Sequence, residues 1–229
     1  MTRRRLLLSV TNYATLSLVE ISYRAIQPLF LSTPINSGGL GLDPPSIGKI
    51  LAWLGILNGI FQATCFARAH AICGTKGLFV GGLCCAVPVF ALFPVMNAIA
   101  RVYGVGLGVY IAVALQIIFS IVWNSSFGRF MVPTRIGSAQ LIHVLHAGCI
   151  YMYVATASPN RASLGATNGI AQFLVSITRM IGPAASTSLF SLSMGEGYMG
   201  SGLVYIVLLM ASVATIAFGT TLPRKVWQT

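Results

Sequence analysis

Glu20 and Arg24 stand four residues apart inside an otherwise apolar run, and Arg179 interrupts another such run far along the chain. A spacing of four places a carboxylate and a guanidinium on one face of a helix, where they can meet. Charges inside a long apolar helix cost about 3 kcal/mol or more unless they pair or face water, so each marks a candidate solute or proton path. With a helical rise of about 1.5 Å, Glu20 lies 14 residues (about 21 Å) past Leu6, and Arg179 lies 15 residues (about 22 Å) past Leu164. The expectation is a buried Arg24–Glu20–Arg179 cluster beside a polar cavity. A structural ion pair that merely pins two helices explains the same residues.

Uncharged polar side chains accompany these charges. Asn12, Tyr13, Tyr23 and Gln27 share the first run, Asn58 and Gln62 the second, and Asn168, Gln172, Ser176 and Thr178 the fifth. Asn168, Gln172 and Arg179 follow spacings of four and seven, which is one helical face. Interhelical hydrogen bonding accounts for each pair singly; together, on three helices, they favour a water-accessible path. The candidate path residues are Glu20, Arg24, Gln62, Asn168, Gln172 and Arg179.

Other chemistry finds no footing. Cys65, His70 and Cys73 have no evident fourth metal ligand. His143 and His146 have no carboxylate nearby, and an odd total of five cysteines argues against a disulfide framework. Gly104-Val-Gly-Leu-Gly108 follows no strand and fails the dinucleotide fingerprint. No nucleophile–base arrangement emerges. Neither catalysis nor a cofactor nor a metal is expected.

The elements that must position these residues follow from composition. Charged side chains make up 7% of the 229 residues and hydrophobic ones 56%, with a mean hydropathy of +0.84. Typical soluble domains are about a quarter charged. Such a chain cannot cover a water-facing surface, which excludes a soluble enzyme, a disordered tail and a disulfide scaffold. The net charge of +11 is scattered between apolar runs, unlike the clustered basic face of a nucleic-acid binder.

Crossing the hydrocarbon takes about 20 mainly apolar residues. Six runs qualify: Leu6–Leu31, Ile47–Phe66, Gly77–Met96, Gly104–Trp123, Leu164–Leu192 and Gly202–Leu222. None alternates as a transmembrane strand would. The expectation is an all-α polytopic membrane protein of six helices, forming a single domain. Ser32–Ser46, Ala67–Lys76 and Met194–Ser201 read as turns, while Asn124–Ser163 is too long for one. With the N-terminus inside, ten basic residues lie inside (Arg3, Arg4, Arg5, Arg68, Lys76, Arg129, Arg135, Arg161, Arg224, Lys225) against Lys49 and Arg101 outside. That bias puts both termini in the cytoplasm. The sequon at Asn124 then faces inward and stays unmodified. The start, Met1–Val10, resembles a signal peptide but runs on without a cleavage site.

Several blocks carry a resemblance. Pro28-Leu-Phe-Leu, Gly38-Gly-Leu-Gly41 and Ile47-Gly48 resemble the seventh and eighth helices of fungal major facilitator superfamily transporters. The branch is the drug:proton antiporter-like and zinc-induced-facilitator-like group. Ser158-Pro-Asn-Arg161, Leu164-Gly-Ala-Thr-Asn-Gly169 and Arg179-Met-Ile-Gly-Pro183 resemble its tenth loop and eleventh helix, and Leu222-Pro-Arg-Lys-Val-Trp227 its tail. The resemblance covers nearly the whole chain but only the C-terminal half, helices seven to twelve, of a full member. It implies a secondary carrier with substrate handled between two six-helix halves. The loop Ala67–Lys76 keeps Arg68, Gly74 and Lys76 of the family's gating loop but no acidic residue.

The resemblance also isolates residues 129–148, a polar insert. In the family the tenth helix would pass through Ser125 and Gly128 directly into Cys149-Ile-Tyr-Met-Tyr-Val154; here Arg129–Gly148 intervenes. Retained intron sequence or a gene-model error is one reading, and a genuine cytoplasmic loop the other. Two functions remain. The first is transport of small organic solutes by part of a proton-coupled carrier in the lipid bilayer, completed by an N-terminal half or a second copy. The second is a non-transporting fragment that only binds other membrane proteins. Plasma and vacuolar membranes are not distinguished.

Overall fold

In hydrocarbon every backbone N–H and C=O must be satisfied within the protein, which leaves long apolar segments the helix. The computed structural model describes residues 2–126, 132–136, 139–143, 150, 153–154, 163–195 and 202–222. Its helices are α1 (Thr2–Ser32), α2 (Pro44–Thr64), α3 (Phe66–Cys84), α4 (Ala86–Tyr103), α5 (Leu107–Asn124), α6 (Leu164–Gly195) and α7 (Leu203–Thr220). Ile150, Tyr153 and Val154 are helical as well. A hairpin of β1 (Val132–Ile136) and β2 (Ala139–His143) is the sole strand pair among the described residues. The protein is an all-α polytopic membrane protein with that hairpin appended. Blocks 158–161 and 223–227 lie outside the described residues, as does half of the insert.

Helix breaks fall where backbone chemistry puts them. The stretch expected to turn at residues 67–76 is instead helical up to Cys73, and only Gly74 leaves the helix, at φ 68° and ψ 169°. At Cys85 the opposite happens. The third span runs as one helical path, Lys76–Tyr103, but is split into α3 and α4. Pro88 has no N–H for the carbonyl of Cys84, four residues back. Cys85 compensates with a tighter bond from its N–H to Gly82 O at 3.1 Å.

Six apolar crossings were expected; among the described residues five helices are long and apolar enough to cross a membrane. The exception is α1. At 31 residues it is long enough, but it carries Asn12, Glu20, Arg24 and Gln27. Packing explains how such a helix survives. Ser9, Asn12, Ser17, Glu20, Ser22 and Gln27 are all buried, against protein rather than lipid. The most extensive packing of α1 is along α6; α4 packs on α5 and α7, and α3 on α7. By contrast, α2 has no buried residue.

Two cores lie along the bundle. One is aromatic: Phe30 meets Phe93 edge-on at 4.8 Å, and Tyr23 meets Trp123 at 5.5 Å. The other gathers Val10, Tyr13, Leu16, Phe79, Tyr153 and Val175. Close helix approach uses small residues, as expected where lipid removes the hydrophobic drive. A Cβ at Gly219 would lie 2.7 Å from Leu83 Cδ1.

The loop after α1 folds back to satisfy that helix's last carbonyls. Leu40 N–H donates to Phe30 O at 3.0 Å, Gly41 N–H to Thr33 O at 2.7 Å, and Leu42 N–H to Leu31 O at 2.8 Å. This return needs bare backbone at Gly39, whose Cβ would sit 2.2 Å from Thr33 O. Asn97 of α4 clamps the loop, donating to Ile35 O at 3.0 Å and Gly39 O at 2.8 Å.

Asp43 precedes α2, and the Ser46 hydroxyl beside it holds its carboxyl below the usual carboxylate range. A depressed value means the carboxylate stabilises the fold at higher pH. That contribution is lost as pH falls through the lowered value, below the ordinary pKa of about 4. The melting-temperature difference between the native chain and Asp43→Asn is expected to vanish there. Gly39→Ala is expected to cost about 1–3 kcal/mol through overpacking. Gly55→Ala, with nothing within 4 Å of its Cβ, should be neutral or gain up to about 1 kcal/mol. Thermal unfolding in detergent reads both.

Candidate functional site

Helix α1 carries its charge pair as spacing requires. Arg24 Nε donates to Glu20 Oε1 across one helical turn. The two ends differ in setting: the Glu20 side chain is 10% exposed and that of Arg24 55%. Buried carboxylate and half-exposed guanidinium make a pair that opens to one side of α1.

Arg179 does not join them. It is exposed, and among the described residues Glu20's ion-pair partner is Arg24 alone. The expected three-membered cluster is therefore not formed. The depth estimate nonetheless fits. Gln172 Nε2 donates to the Tyr13 hydroxyl at 3.4 Å, tying α6 to α1. A Cβ on Gly182 would lie 2.5 Å from Ile21 Cγ2. Arg179 lies seven residues beyond Gln172 as Glu20 lies seven beyond Tyr13, so the two charges sit at one level. Direction separates them. The α6 positions buried toward its neighbours are Ala171, Val175, Gly182 and Ser186, and Arg179 stands to one flank of that stripe. Asn168 is exposed and Gln172 partly buried on the same flank.

A backbone feature accompanies each arginine. Pro28 follows Arg24 by four residues, and Pro183 follows Arg179 by four. A proline lacks the N–H that would bond the carbonyl four residues earlier. Both arginine carbonyls thus lose their helical donor, and both helices gain a bending point beside the charges. Gly182 gives the close approach at which they touch.

Gln62 lies elsewhere, on α2, half-buried with Asn58 one turn before it. Gln62 Oε1 and Asn58 Oδ1 are enclosed acceptors with no partner among the described residues. The structure places them on a third helix but does not bring them against Glu20 or Arg179. A surface depression lined by Pro34, Ile35, Asn36, Gly41, Ala100 and Arg101 lies at the α1–α2 loop and contains none of the candidates. No metal-holding cluster of His, Cys, Asp or Glu occurs among the described residues.

Three buried polar residues were not singled out by sequence: Asn97 at the loop clamp, Gln116 donating to Val89 O at 3.0 Å, and Ser126 donating to Phe79 O at 2.9 Å. Each is a polar side chain in an apolar helix, the same signal that drew attention to Asn58. All three bind backbone, and they hold helices together rather than line a path.

Known proteins give the arrangement a context. The chain is 25% identical over 205 residues to the major facilitator superfamily multidrug transporter mfsB of Aspergillus fumigatus, covering 85% of this chain and 30% of that one. It is 27% identical over 208 residues to protein zinc induced facilitator-like 1 of Arabidopsis thaliana, covering 89% and 38%. Protein zinc induced facilitator 1 of the same plant is 25% identical over 218 residues, covering 93% and 39%. The chain is similar to major facilitator transporters. It spans about a third of the length of the curated relatives it matches. No family model and no solved structure matches it. The similarity is to transport proteins rather than to any enzyme.

Contact between α1 and α6 is the site's mechanical support. Gly182→Leu is expected to push the helices apart and lower stability by about 1–3 kcal/mol. Phe173→Ala, on an exposed position of α6, should change it by less than about 0.5 kcal/mol. Thermal unfolding of the two variants checks the contrast.

Proposed function

We propose that this chain is the C-terminal, six-helix half of a proton-coupled secondary transporter for small organic solutes. The observation that carries the reading is the pair of exposed arginines, Arg24 and Arg179, about one helical turn apart in depth on the packed helices α1 and α6. Cations within the hydrocarbon are costly against lipid. The flank of α1 and α6 that bears them therefore faces water or another protein. A solute path between two halves supplies both.

Within that path Glu20 is the proton-carrying carboxylate, the one acidic residue in any of the spans. Arg24 and Arg179 supply positive charge, and Gln62, Asn168 and Gln172 supply hydrogen bonds. Pro28 and Pro183 let α1 and α6 bend together as access alternates between the two sides. The absence of any buried residue on α2 supports a partner, either an N-terminal half or a second copy. Positive charge on the N-terminal side supports cytoplasmic termini. As a half, the chain needs that partner to transport, since alternating access rocks one repeat against another.

Ethidium movement driven by an imposed pH gradient, in vesicles that hold the chain with its completing half, tests the role of Glu20. Glu20→Gln is expected to abolish the pH-driven component, while Lys49→Gln at the start of α2 leaves it intact. Glu20→Gln protein that transports with an unchanged pH profile would contradict the proposal.

A further inference from the structure

The helical residues Ile150, Tyr153 and Val154 keep the register of α5 across the insert of residues 129–148. Ile150 N–H donates to Ser126 O at 3.4 Å. The two residues are 24 positions apart in sequence. Subtract the twenty of 129–148 and the separation is four, the spacing of an α-helical bond.

Four further observations agree with that count. The first is the buried face. In α5 it runs Val109, Ala112, Val113, Gln116, Ile117, Ser120, Ile121, Trp123, and then Ser126. With twenty residues subtracted, Ile150, Tyr153 and Val154 fall four, seven and eight positions past Ser126, which continues one helical face. All three are buried, at 0%, 0% and 2% exposure. The second is a shared neighbour two turns apart. Ser126 Oγ donates to Phe79 O at 2.9 Å, and the Tyr153 ring meets the Phe79 ring at 6.3 Å.

The third is length. As it stands α5 has 18 residues, against 28 in the span Lys76–Tyr103 beside it. Residues 107–128 joined to 149–154 also make 28. The fourth is the hairpin itself. Its antiparallel register pairs Val132 with His143. Paired residues in such ladders have Cα atoms about 5 Å apart, so the chain is brought back to where it left. A departure from a continuous helix needs that return.

We infer that residues 129–148 are an excursion from one membrane helix, which is back in its original register at Ile150. The excursion leaves at the end of α5 that faces the α1 N-terminus, where Ser9 Oγ donates to Tyr153 O at 3.3 Å. It contributes a hairpin and no span. The bundle does not depend on it, so the site on α1 and α6 stands without it.

Register makes the inference testable in the full chain. Deleting residues 129–148 rebuilds the helix with its buried face intact. Deleting 130–148 or 128–148 removes nineteen or twenty-one residues and turns the distal segment by about 100°, carrying Ile150 and Tyr153 out of the core. Yield of monodisperse protein and melting temperature in detergent are the readouts. The twenty-residue deletion is expected to match or exceed the full chain, and both neighbouring deletions to fall below it. Three deletions that behave alike, or a twenty-residue deletion less stable than the full chain, would overturn the inference.

Discussion

A charged side chain in hydrocarbon has two refuges, an opposite charge or water, and α1 uses both. Its carboxylate is enclosed and paired, while its guanidinium reaches outward. Every other feature of the bundle accommodates that helix. Because α1 is too polar for lipid, the other helices wrap it, and its serines and amides turn inward. The five more apolar helices can face the bilayer because the sixth does not have to.

Stiff and yielding regions divide along the bundle. Near the α1–α2 loop, edge-on aromatic rings and the Asn97 clamp hold backbone and side chains in a single arrangement. Buried Asn97 satisfies the Gly39 carbonyl, which would otherwise cost about 1–3 kcal/mol, and adds a second donor to Ile35 O, which already accepts from Gly38 N–H. At mid-depth the prolines of α1 and α6 remove a helical bond from each helix at the level of its arginine. Each helix thus has its weakest backbone beside its arginine. On the proposed reading, α1 and α6 would yield there as access alternates.

Much of this was legible in the residues, for identifiable reasons. Apolar length reveals spans because the bilayer sets it: five of the six expected runs correspond to apolar helices, four within a few residues and the third ending seven residues short of Tyr103. The depth of Glu20 and Arg179 followed from helical rise alone. Their failure to pair did not, because it depends on a flank of about 50° around α6 that rise does not encode. The stretch 67–76 looked like a loop from its glycine and charges, yet backbone bonding carries the helix to Cys73 and one glycine makes the turn. Nor could the sequence show that Gln62 would stand apart from Glu20: the two share polarity, not a helix–helix contact. The insert and its bounds were visible only through a family pattern, and the hydrogen bond from Ile150 N–H to Ser126 O supplies the structural support for the register that pattern implied.

The central claim is that the flank of α1 and α6 bearing Arg24 and Arg179 faces a water-filled path inside the membrane. It is tested most directly by thiol accessibility in liposomes. On a background with the five native cysteines replaced, Arg179→Cys and Asn168→Cys are exposed to a membrane-impermeant maleimide, with Met210→Cys on the exposed face of α7 as the lipid-side comparison. The account predicts that the chain with its completing half labels at 168 and 179 and not at 210. Labelling at 210 alone, or at none of the three, would contradict it.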